Sequence, residues 1–168
     1  MKRTVIKFGK YSSIILVVLF GLSFIFQESM DYSTSEVFGY VVIVVALSFV
    51  YFGIKNYRDT INDGLVSFSK ALKIGVLISL IASLTFGALN VVYTEIINPD
   101  FTEEYYAHSV EKYRESLPEA EFKVKYEQLE SEKDLFTNPL INFMVMALTV
   151  FIIGFIISLI SGLILQRK

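Results

Sequence analysis

The sequence predicts an all-α membrane protein: a four-transmembrane-helix bundle with an extracytoplasmic amphipathic helical segment between helices 3 and 4. Hydrophobic residues make up 54% of the 168 residues, whereas soluble domains average roughly 45–50%. Nearly all charges fall in four short blocks, and the runs between these blocks are almost free of charge. We expect a single membrane domain over residues 1–168 with spans at residues 8–26, 37–54, 71–97 and 139–165.

The first predicted span follows a basic leader that contains Lys2, Arg3, Lys7 and Lys10. A basic leader before an apolar run is also typical of a secretory signal peptide. However, the run ends in large side chains up to Phe26 instead of a small-x-small cleavage site, and a second hydrophobic run follows. We therefore expect a retained helix, with Lys10 reaching toward the headgroups.

The second predicted span, residues 37–54, carries no charge and is rich in β-branched residues. Such a run favours a strand in water, but an unpaired strand in lipid leaves its backbone unsatisfied, so a helix is predicted. In the basic connection that follows, Asp63-Gly64 predicts a tight turn. Ser67 or Ser69 is the candidate N-cap of the next helix.

The third predicted span, residues 71–97, would form a helix roughly 40 Å long, which exceeds the ~30 Å hydrocarbon core. It carries small residues at a four-residue step, and the fourth span carries a second such series. The helix-packing candidates are Gly75, Ser79, Ser83, Gly87, Gly154, Ser158 and Gly162. Because small-xxx-small spacing lets helix backbones approach closely, we expect these two spans to pack against each other. A dimer face is the alternative.

Residues 98–138 form the hydrophilic region of the chain and are predicted to contain two amphipathic helices. Apolar residues recur there at three- to four-residue spacing, and Pro118 interrupts the pattern where a continuous helix would break. Asp100 with Glu103 has the spacing of a capping box. We expect both helices outside the lipid core, where they either lie on the membrane surface or project from it.

Charged and turn-forming residues mark the expected membrane boundaries. Lys73 and Glu95 are the charges inside the third predicted span, and each lies within a turn of one end, so we expect them to reach toward the headgroups. Asn138 and Pro139 fit the cap and first turn of the fourth span. The membrane-boundary candidates are Lys55, Arg58, Lys70, Lys73, Glu95, Asn98, Pro99, Asn138 and Pro139.

The charge distribution predicts the orientation. Ten of the 15 lysines and arginines lie before the first span, around the connection between the second and third spans, or after the fourth. Of the 17 acidic residues, only Asp59 and Asp63 lie there. By the positive-inside rule both termini are cytoplasmic, and residues 98–138 face the opposite side of the membrane.

No reactive group of residues is recognisable in the sequence. The chain has no cysteine and a single histidine, His108, which excludes disulfides, thiolate sites and multi-histidine metal sites within one chain. The acidic residues of 98–138 lack the spacing of a calcium loop and alternate with lysines and arginines, as on a solvated helix face. We therefore expect no enzyme, no catalytic, cofactor-binding or metal-binding residues, and no cofactor.

Two polar features remain open to a functional interpretation. Asn90 and Asn142 are expected near each other in the third and fourth spans, where an inter-helix hydrogen bond is favoured over a transport site. The basic connection with Tyr57 and Arg58 either contacts anionic lipid headgroups or serves only as a topological anchor.

Several segments together are similar to a known family: GIKNYRD at residues 53–59, SFSKAL at 67–72, INPDF at 97–101, NP at 138–139 and ISLISGLILQRK at 157–168. They resemble the bacterial membrane-protein family called domain of unknown function 4199, over essentially the whole chain. The resemblance implies a four-span inner-membrane protein of Gram-negative bacteria and implies no activity.

Two functional hypotheses follow. The first is a non-enzymatic structural or interaction protein of the bacterial inner membrane, and the alternative is a small transporter or channel subunit that acts as an oligomer. The expected partners are the lipid bilayer and either a second copy of the chain, as a homo-oligomer, or a membrane or periplasmic protein. No nucleic acid is expected as a partner.

Overall fold

The computed structural model describes residues 1–26 and 32–167, and within them the chain is helical apart from short connections. Two five-residue π-helical segments, Tyr57–Ile61 and Tyr93–Ile97, continue the second and third helices. The α-helices are α1 (Lys2–Phe26), α2 (Tyr32–Asn56), α3 (Phe68–Val92), α4 (Phe101–Ser116), α5 (Glu119–Phe136) and α6 (Pro139–Leu165). The predicted all-α class is confirmed. Glu28, Asp31 and Lys168, which entered the charge count, lie outside the described residues.

Four helical stretches are long and apolar enough to cross a membrane: Lys2–Ser23, Thr34–Ile61, Phe68–Ile97 and Pro139–Leu165. The predicted number of spans is confirmed, and the fourth has the predicted bounds. The first helix begins six residues before the predicted start at residue 8. The second span continues past its predicted end at residue 54, and the third begins before its predicted start at residue 71. A hydropathy pattern marks the apolar stretch, whereas a helix continues through the flanking basic residues because its backbone hydrogen bonds do not depend on side-chain polarity.

The described chain forms two compact units. Unit 1 comprises Met1–Phe86 and Met146–Lys168, and unit 2 comprises Gly87–Val145. The single membrane domain expected from the sequence stays a prediction.

Unit 1 has a small interior and a large apolar exterior. Leu16, Leu47 and Ile74 are fully buried, whereas Val44 and Leu163 have more than half of their surface exposed. Helices that are hydrophobic on all sides are typical of membrane spans, and exposed apolar surface on this scale marks a membrane or protein contact. The outward apolar faces of unit 1 are therefore the faces expected to contact lipid.

The connection between α2 and α3 contains the predicted tight turn. Asp63 and Gly64 adopt φ angles of 49° and 81°, the left-handed region that glycine tolerates without strain. The predicted turn is confirmed. Ser67 immediately precedes α3, and its carbonyl accepts a hydrogen bond from the Ala71 N–H at 2.9 Å. Ser69 lies inside α3, so the alternative of Ser69 as N-cap is wrong.

Unit 2 contains both predicted amphipathic helices, α4 and α5, which are separated at Leu117 and Pro118. Asp100 precedes α4 but makes no side-chain capping hydrogen bond, so the predicted capping box does not form. Its backbone is already helical, at φ −86° and ψ −5°, whereas a capping residue needs an extended conformation.

The predicted cap of α6 is confirmed. The Asn138 side-chain oxygen accepts hydrogen bonds from the N–H groups of Leu140 at 3.0 Å and Ile141 at 3.3 Å. Pro139 is the first residue of the helix, where a missing N–H leaves no helical hydrogen bond unmade.

Candidate functional site

The small residues of α3 and α6 meet in unit 1. A Cβ added at Gly75 would lie 2.7 Å from the Ser158 Oγ, and a Cβ added at Gly154 would lie 2.5 Å from the Ser79 Cβ. These distances are below any ordinary van der Waals contact, so only glycine permits this approach. The structure therefore brings four of the helix-packing candidates into one intramolecular contact.

Hydroxyl groups line the same contact. The Ser79 and Ser158 Oγ atoms lie 3.3 Å apart, and either can donate. Each hydroxyl also lies within hydrogen-bond distance of a carbonyl of its own helix, Ser79 at 2.9 Å from Gly75 and Ser158 at 2.6 Å from Gly154. Because each hydroxyl has a single proton, one serine donates to the other while the second donates to its own helix, or both donate within their helices, and in either case no buried donor is left unpaired.

The other three helix-packing candidates have different neighbours. The Ser83 hydroxyl donates to Leu80 of its own helix, and a Cβ at Gly162 would meet the Phe68 ring at 3.3 Å. In unit 2, a Cβ at Gly87 would lie 2.9 Å from the Phe143 carbonyl oxygen. The two small-residue series thus face each other directly at the Gly75–Ser158 and Ser79–Gly154 positions.

Two further hydroxyl contacts in unit 1 were not expected from the sequence. The Ser12 Oγ of α1 donates to the Ala46 carbonyl of α2 at 2.7 Å in a buried position. The Ser13 Oγ and the Thr85 Oγ1 of α3 lie 2.7 Å apart. The sequence signal for both was weak, since single serines in an apolar run also occur with their hydroxyl bonded to their own helix. α1 is therefore joined to α2 and α3 by polar contacts.

Arg58 is the least exposed of the membrane-boundary candidates. It lies in the π-helical segment after α2 and is 8% exposed. Its guanidinium holds both carboxylate oxygens of Asp59, at 2.5 and 3.1 Å, and its Nη1 donates to the Leu165 carbonyl at 3.4 Å. A cation at the final carbonyls of a helix stabilises its C-terminus. Arg58 therefore links the end of α2 to the end of α6.

The other basic boundary candidates surround the same connection. Lys55, Lys70 and Lys73 are exposed, and the Lys70 ammonium lies 5.6 Å from the centroid of the buried Tyr57 ring. Arg167 pairs with the buried Val66 through two backbone hydrogen bonds, of 3.0 and 2.9 Å. These contacts hold the connection between α2 and α3 against the end of α6.

Three boundary candidates of unit 2, namely Glu95, Asn98 and Pro99, lie where the third span ends. Glu95 is exposed and lies within the segment Tyr93–Ile97. The Asn98 N–H donates to the Tyr93 carbonyl at 2.8 Å, and this is the last hydrogen bond of the segment. Pro99 is exposed and lies outside the helices. The break predicted by Asn98-Pro99 is thus the end of the helical span.

Asn142 is a buried polar residue of α6. Its Nδ2 donates to the Thr94 Oγ1 at 3.2 Å, and its Oδ1 has no hydrogen-bond partner. The sequence placed Asn142 opposite Asn90, whereas the structure pairs it with Thr94, one helical turn beyond. A carboxamide oxygen without a donor in a buried position is costly, which makes Asn142 the polar position of unit 2 most open to a functional role.

Charged and aromatic side chains connect α4 and α5. The Lys133 ammonium lies 2.7 Å from a Glu103 carboxylate oxygen. The Arg114 guanidinium lies 5.5 Å from the Phe122 ring centroid, and the Lys125 ammonium lies 5.4 Å from that of Tyr113. Tyr106 and Leu129 are the buried side chains of these helices.

Two tyrosines of these helices have altered acidity. Burial raises the pKa of Tyr106 to about 12, and the nearby Glu132 carboxylate acts in the same direction. The Tyr126 hydroxyl donates to Glu130 at 3.1 Å, and this hydrogen bond raises the pKa of Tyr126. Both groups are neutral at physiological pH, so they contribute hydrogen bonding and packing, not charge.

No group of three or more histidine, aspartate or glutamate side chains is arranged to hold a metal ion within residues 1–26 and 32–167. His108 is half-buried on α4.

The fold and these contacts define an all-helical protein whose four apolar helices are those of a multi-pass membrane protein. The chain belongs to the family described as "Protein of unknown function (DUF4199)", whose model matches residues 7–167, nearly the whole chain. The resemblance drawn from the sequence segments is thereby confirmed. Neither the curated proteins nor the solved structures contain a match to the chain.

Proposed function

We propose that the chain is a non-enzymatic interaction protein of the bacterial inner membrane, with both termini in the cytoplasm and with α4 and α5 outside it. The observation that carries the proposal is an uncharged, exposed stripe on the otherwise highly charged helix α5. We call it the α5 stripe. It consists of residues spaced three or four apart: Val124, Gln128, Ser131 and Leu135.

The spacing places these four side chains on one face of the helix. Val124 is 59% exposed and Leu135 is 50% exposed, although two large apolar residues on a polar helix would ordinarily turn toward its buried side. A face without charge can pack against another protein without the cost of desolvating a charge, and the two exposed apolar side chains on it add surface for such a contact. The stripe therefore supports contact with a second copy of the chain or with a membrane or periplasmic protein.

The charge distribution supports the proposed orientation. The positive-inside rule counts lysines and arginines in short connections near the spans. Ten of the 15 basic residues lie at the termini and around the connection between α2 and α3, while the stretch from Glu95 to Asn138 contains five basic and 12 acidic residues.

A photo-cross-linking residue placed at Gln128 tests the proposal in cells that express the full chain. Gln128 lies on the α5 stripe, and the exposed Glu127 beside it provides the matched control on a neighbouring face. We expect discrete protein adducts at Gln128 and few at Glu127, with the adduct mass separating a second copy from another protein. Complete absence of protein adducts at Gln128 would contradict the proposal.

The second candidate is a small transporter or channel subunit that acts as an oligomer. The observation that favours it is the buried Asn142 with its unpartnered Oδ1, since polar groups inside a span often mark a solute pathway. Flux through vesicles reconstituted with Asn142→Leu and with Asn90→Leu tests this candidate. Flux equal to that of the unaltered protein in both variants would exclude it.

A further inference from the structure

The connection between α2 and α3 is ordered by polar contacts. The Gly64 N–H donates to the Arg58 carbonyl at 2.8 Å, and the Asn62 side chain donates to the Leu65 carbonyl at 2.7 Å. Val66 is 1% exposed and pairs with Arg167. The chain path through this connection is therefore fixed by several independent hydrogen bonds.

Two large apolar side chains nevertheless point outward from this ordered connection. Ile61 is 50% exposed and Leu65 is 47% exposed. Ile61 ends the span Thr34–Ile61, and Leu65 lies just before the span Phe68–Ile97. A connection between the ends of two membrane spans lies near the lipid headgroups, so lipid is the apolar surface available to Ile61 and Leu65. Entry into the acyl boundary would remove both side chains from water.

Basic residues flank this connection in the sequence, and Arg167 pairs with Val66 within it. Lys55, Lys70, Lys73 and Arg167 are exposed. The Asp59 carboxylate is held by the Arg58 guanidinium, while Lys55 and Arg167 are near enough to interact with it electrostatically. Asp63 is the second acidic residue of the connection, so the basic residues still outnumber the acidic ones. The Lys70 ammonium lies over the Tyr57 ring instead of beside a carboxylate. The connection thus combines outward apolar side chains with an excess of positive charge, which is the chemistry that attracts anionic phospholipids.

We propose that this connection binds anionic phospholipids in preference to zwitterionic ones. Ile61 and Leu65 enter the boundary between headgroups and acyl chains, and Lys55, Lys70, Lys73 and Arg167 contact the lipid phosphates. Zwitterionic lipids offer the same acyl chains but no net negative charge, so the selectivity comes from the cations. The inference rests on the membrane location of the four helices and is independent of the α5 stripe.

The chain contains no tryptophan, so Leu65→Trp introduces a single fluorescent reporter at the connection. The full-length variant is reconstituted in vesicles of equal parts phosphatidylglycerol and phosphatidylcholine, with only one of the two lipids brominated in each sample. We expect brominated phosphatidylglycerol to quench the tryptophan at least about twofold more strongly than brominated phosphatidylcholine at low salt. The difference should shrink at 1 M salt, where charges are screened within roughly 3 Å.

Three controls test whether the basic residues of the connection cause the quenching preference. Leu148→Trp places the reporter on an exposed apolar position of α6, where both brominated lipids should quench equally. Adding K55Q, K70Q and K73Q to Leu65→Trp should reduce the preference, because Arg167 alone then remains of the four proposed phosphate contacts, whereas adding K112Q, K123Q and K125Q on α4 and α5 should leave it intact.

Equal quenching of Leu65→Trp by the two lipids, absence of quenching by either, or a preference that K55Q, K70Q and K73Q do not diminish would overturn the proposal. Each of these results leaves the cross-linking test at Gln128 unaffected, because that experiment reports on protein contacts of α5.

Discussion

Unit 1 and the two helices α4 and α5 of unit 2 hold their helices together by different chemistry. In unit 1 the close contacts between α3 and α6 involve glycines and serine hydroxyls, as between Gly154 and Ser79. Between α4 and α5 they are an ion pair and cation–ring contacts, as between Glu103 and Lys133. Lipid gives helices no hydrophobic drive to associate, so close backbone approach is needed there, whereas long charged side chains suit a hydrated surface.

The two kinds of contact make the two regions sensitive to different changes. Close packing at a glycine is disrupted when a larger side chain replaces it, and its contribution to stability does not depend on salt concentration. Packing that depends on exposed charges tolerates added volume but weakens when the charges are screened. The following substitutions are chosen to separate these two behaviours.

The largest effect is expected for Gly154→Leu. The added side chain would overlap Ser79 and force α3 and α6 apart, which should cost about 1–3 kcal/mol of unfolding free energy. Thermal or SDS-induced unfolding of the purified full-length protein measures it. Gly21→Leu is the matched control, because a Cβ at Gly21 meets nothing within 4 Å. Equal destabilisation by the two substitutions would show that the glycine contact is not what holds these helices.

The next effect concerns alkaline pH and Tyr106. Its pKa is raised to about 12 by burial, above the value near 10 that an unfolded chain shows. Folding therefore favours the protonated phenol, and this contribution is fully present below about pH 10 and is lost as pH rises toward 12. Amide hydrogen exchange in α4 and α5 should accelerate over that window, and Tyr106→Phe should reduce the acceleration. If Tyr106→Phe leaves the pH range and size of this acceleration unchanged, the acceleration does not come from ionisation of Tyr106.

A smaller loss is expected for Ser158→Ala. The substitution removes the hydroxyl contact with Ser79, but the Ser79 hydroxyl keeps its bond to the Gly75 carbonyl. Hydrogen bonds of this kind between membrane helices contribute on average about 0.6 kcal/mol. The same unfolding assay should give a loss of this size at low and at high salt. A loss that disappears at high salt would assign the contact to charge instead of packing.

The smallest effect is expected for Glu103→Gln. Glu103 is largely exposed, at 72% of its side-chain surface, and exposed ion pairs contribute about 0.2–1 kcal/mol. Hydrogen exchange of α4 and α5 amides should rise slightly at low salt and match the unaltered protein at 1 M salt. An effect of equal size at both salt concentrations would mean that Lys133 and Glu103 do not act through their charges.

Structural features that depend on neighbouring residues could be predicted from the sequence. The four spans follow from runs of apolar residues, the Asn138 cap from an Asn-Pro pair, and the Asp63-Gly64 turn from residues that tolerate positive φ. In each case the residues that determine the structure lie within a few positions of one another.

Features that join distant residues were not predictable in the same way. Ser12 bonds a carbonyl 34 residues away, and Arg58 bonds one 107 residues away. Serine and arginine carry the same local signal whether or not such a partner exists. The end of the second span was also missed, because the π-helical segment Tyr57–Ile61 that extends it has no residue signature of its own.

Labelling of single cysteines tests the proposed orientation, in which the basic connection and the termini are cytoplasmic and α4 and α5 are outside. The chain has no cysteine, so Glu127→Cys on α5 and Gln166→Cys near the C-terminus each introduce one exposed thiol. With a membrane-impermeant maleimide, Glu127→Cys should be labelled while the inner membrane is intact, and Gln166→Cys only after the membrane is permeabilised. The reverse pattern, or labelling of both before permeabilisation, would contradict the proposed orientation.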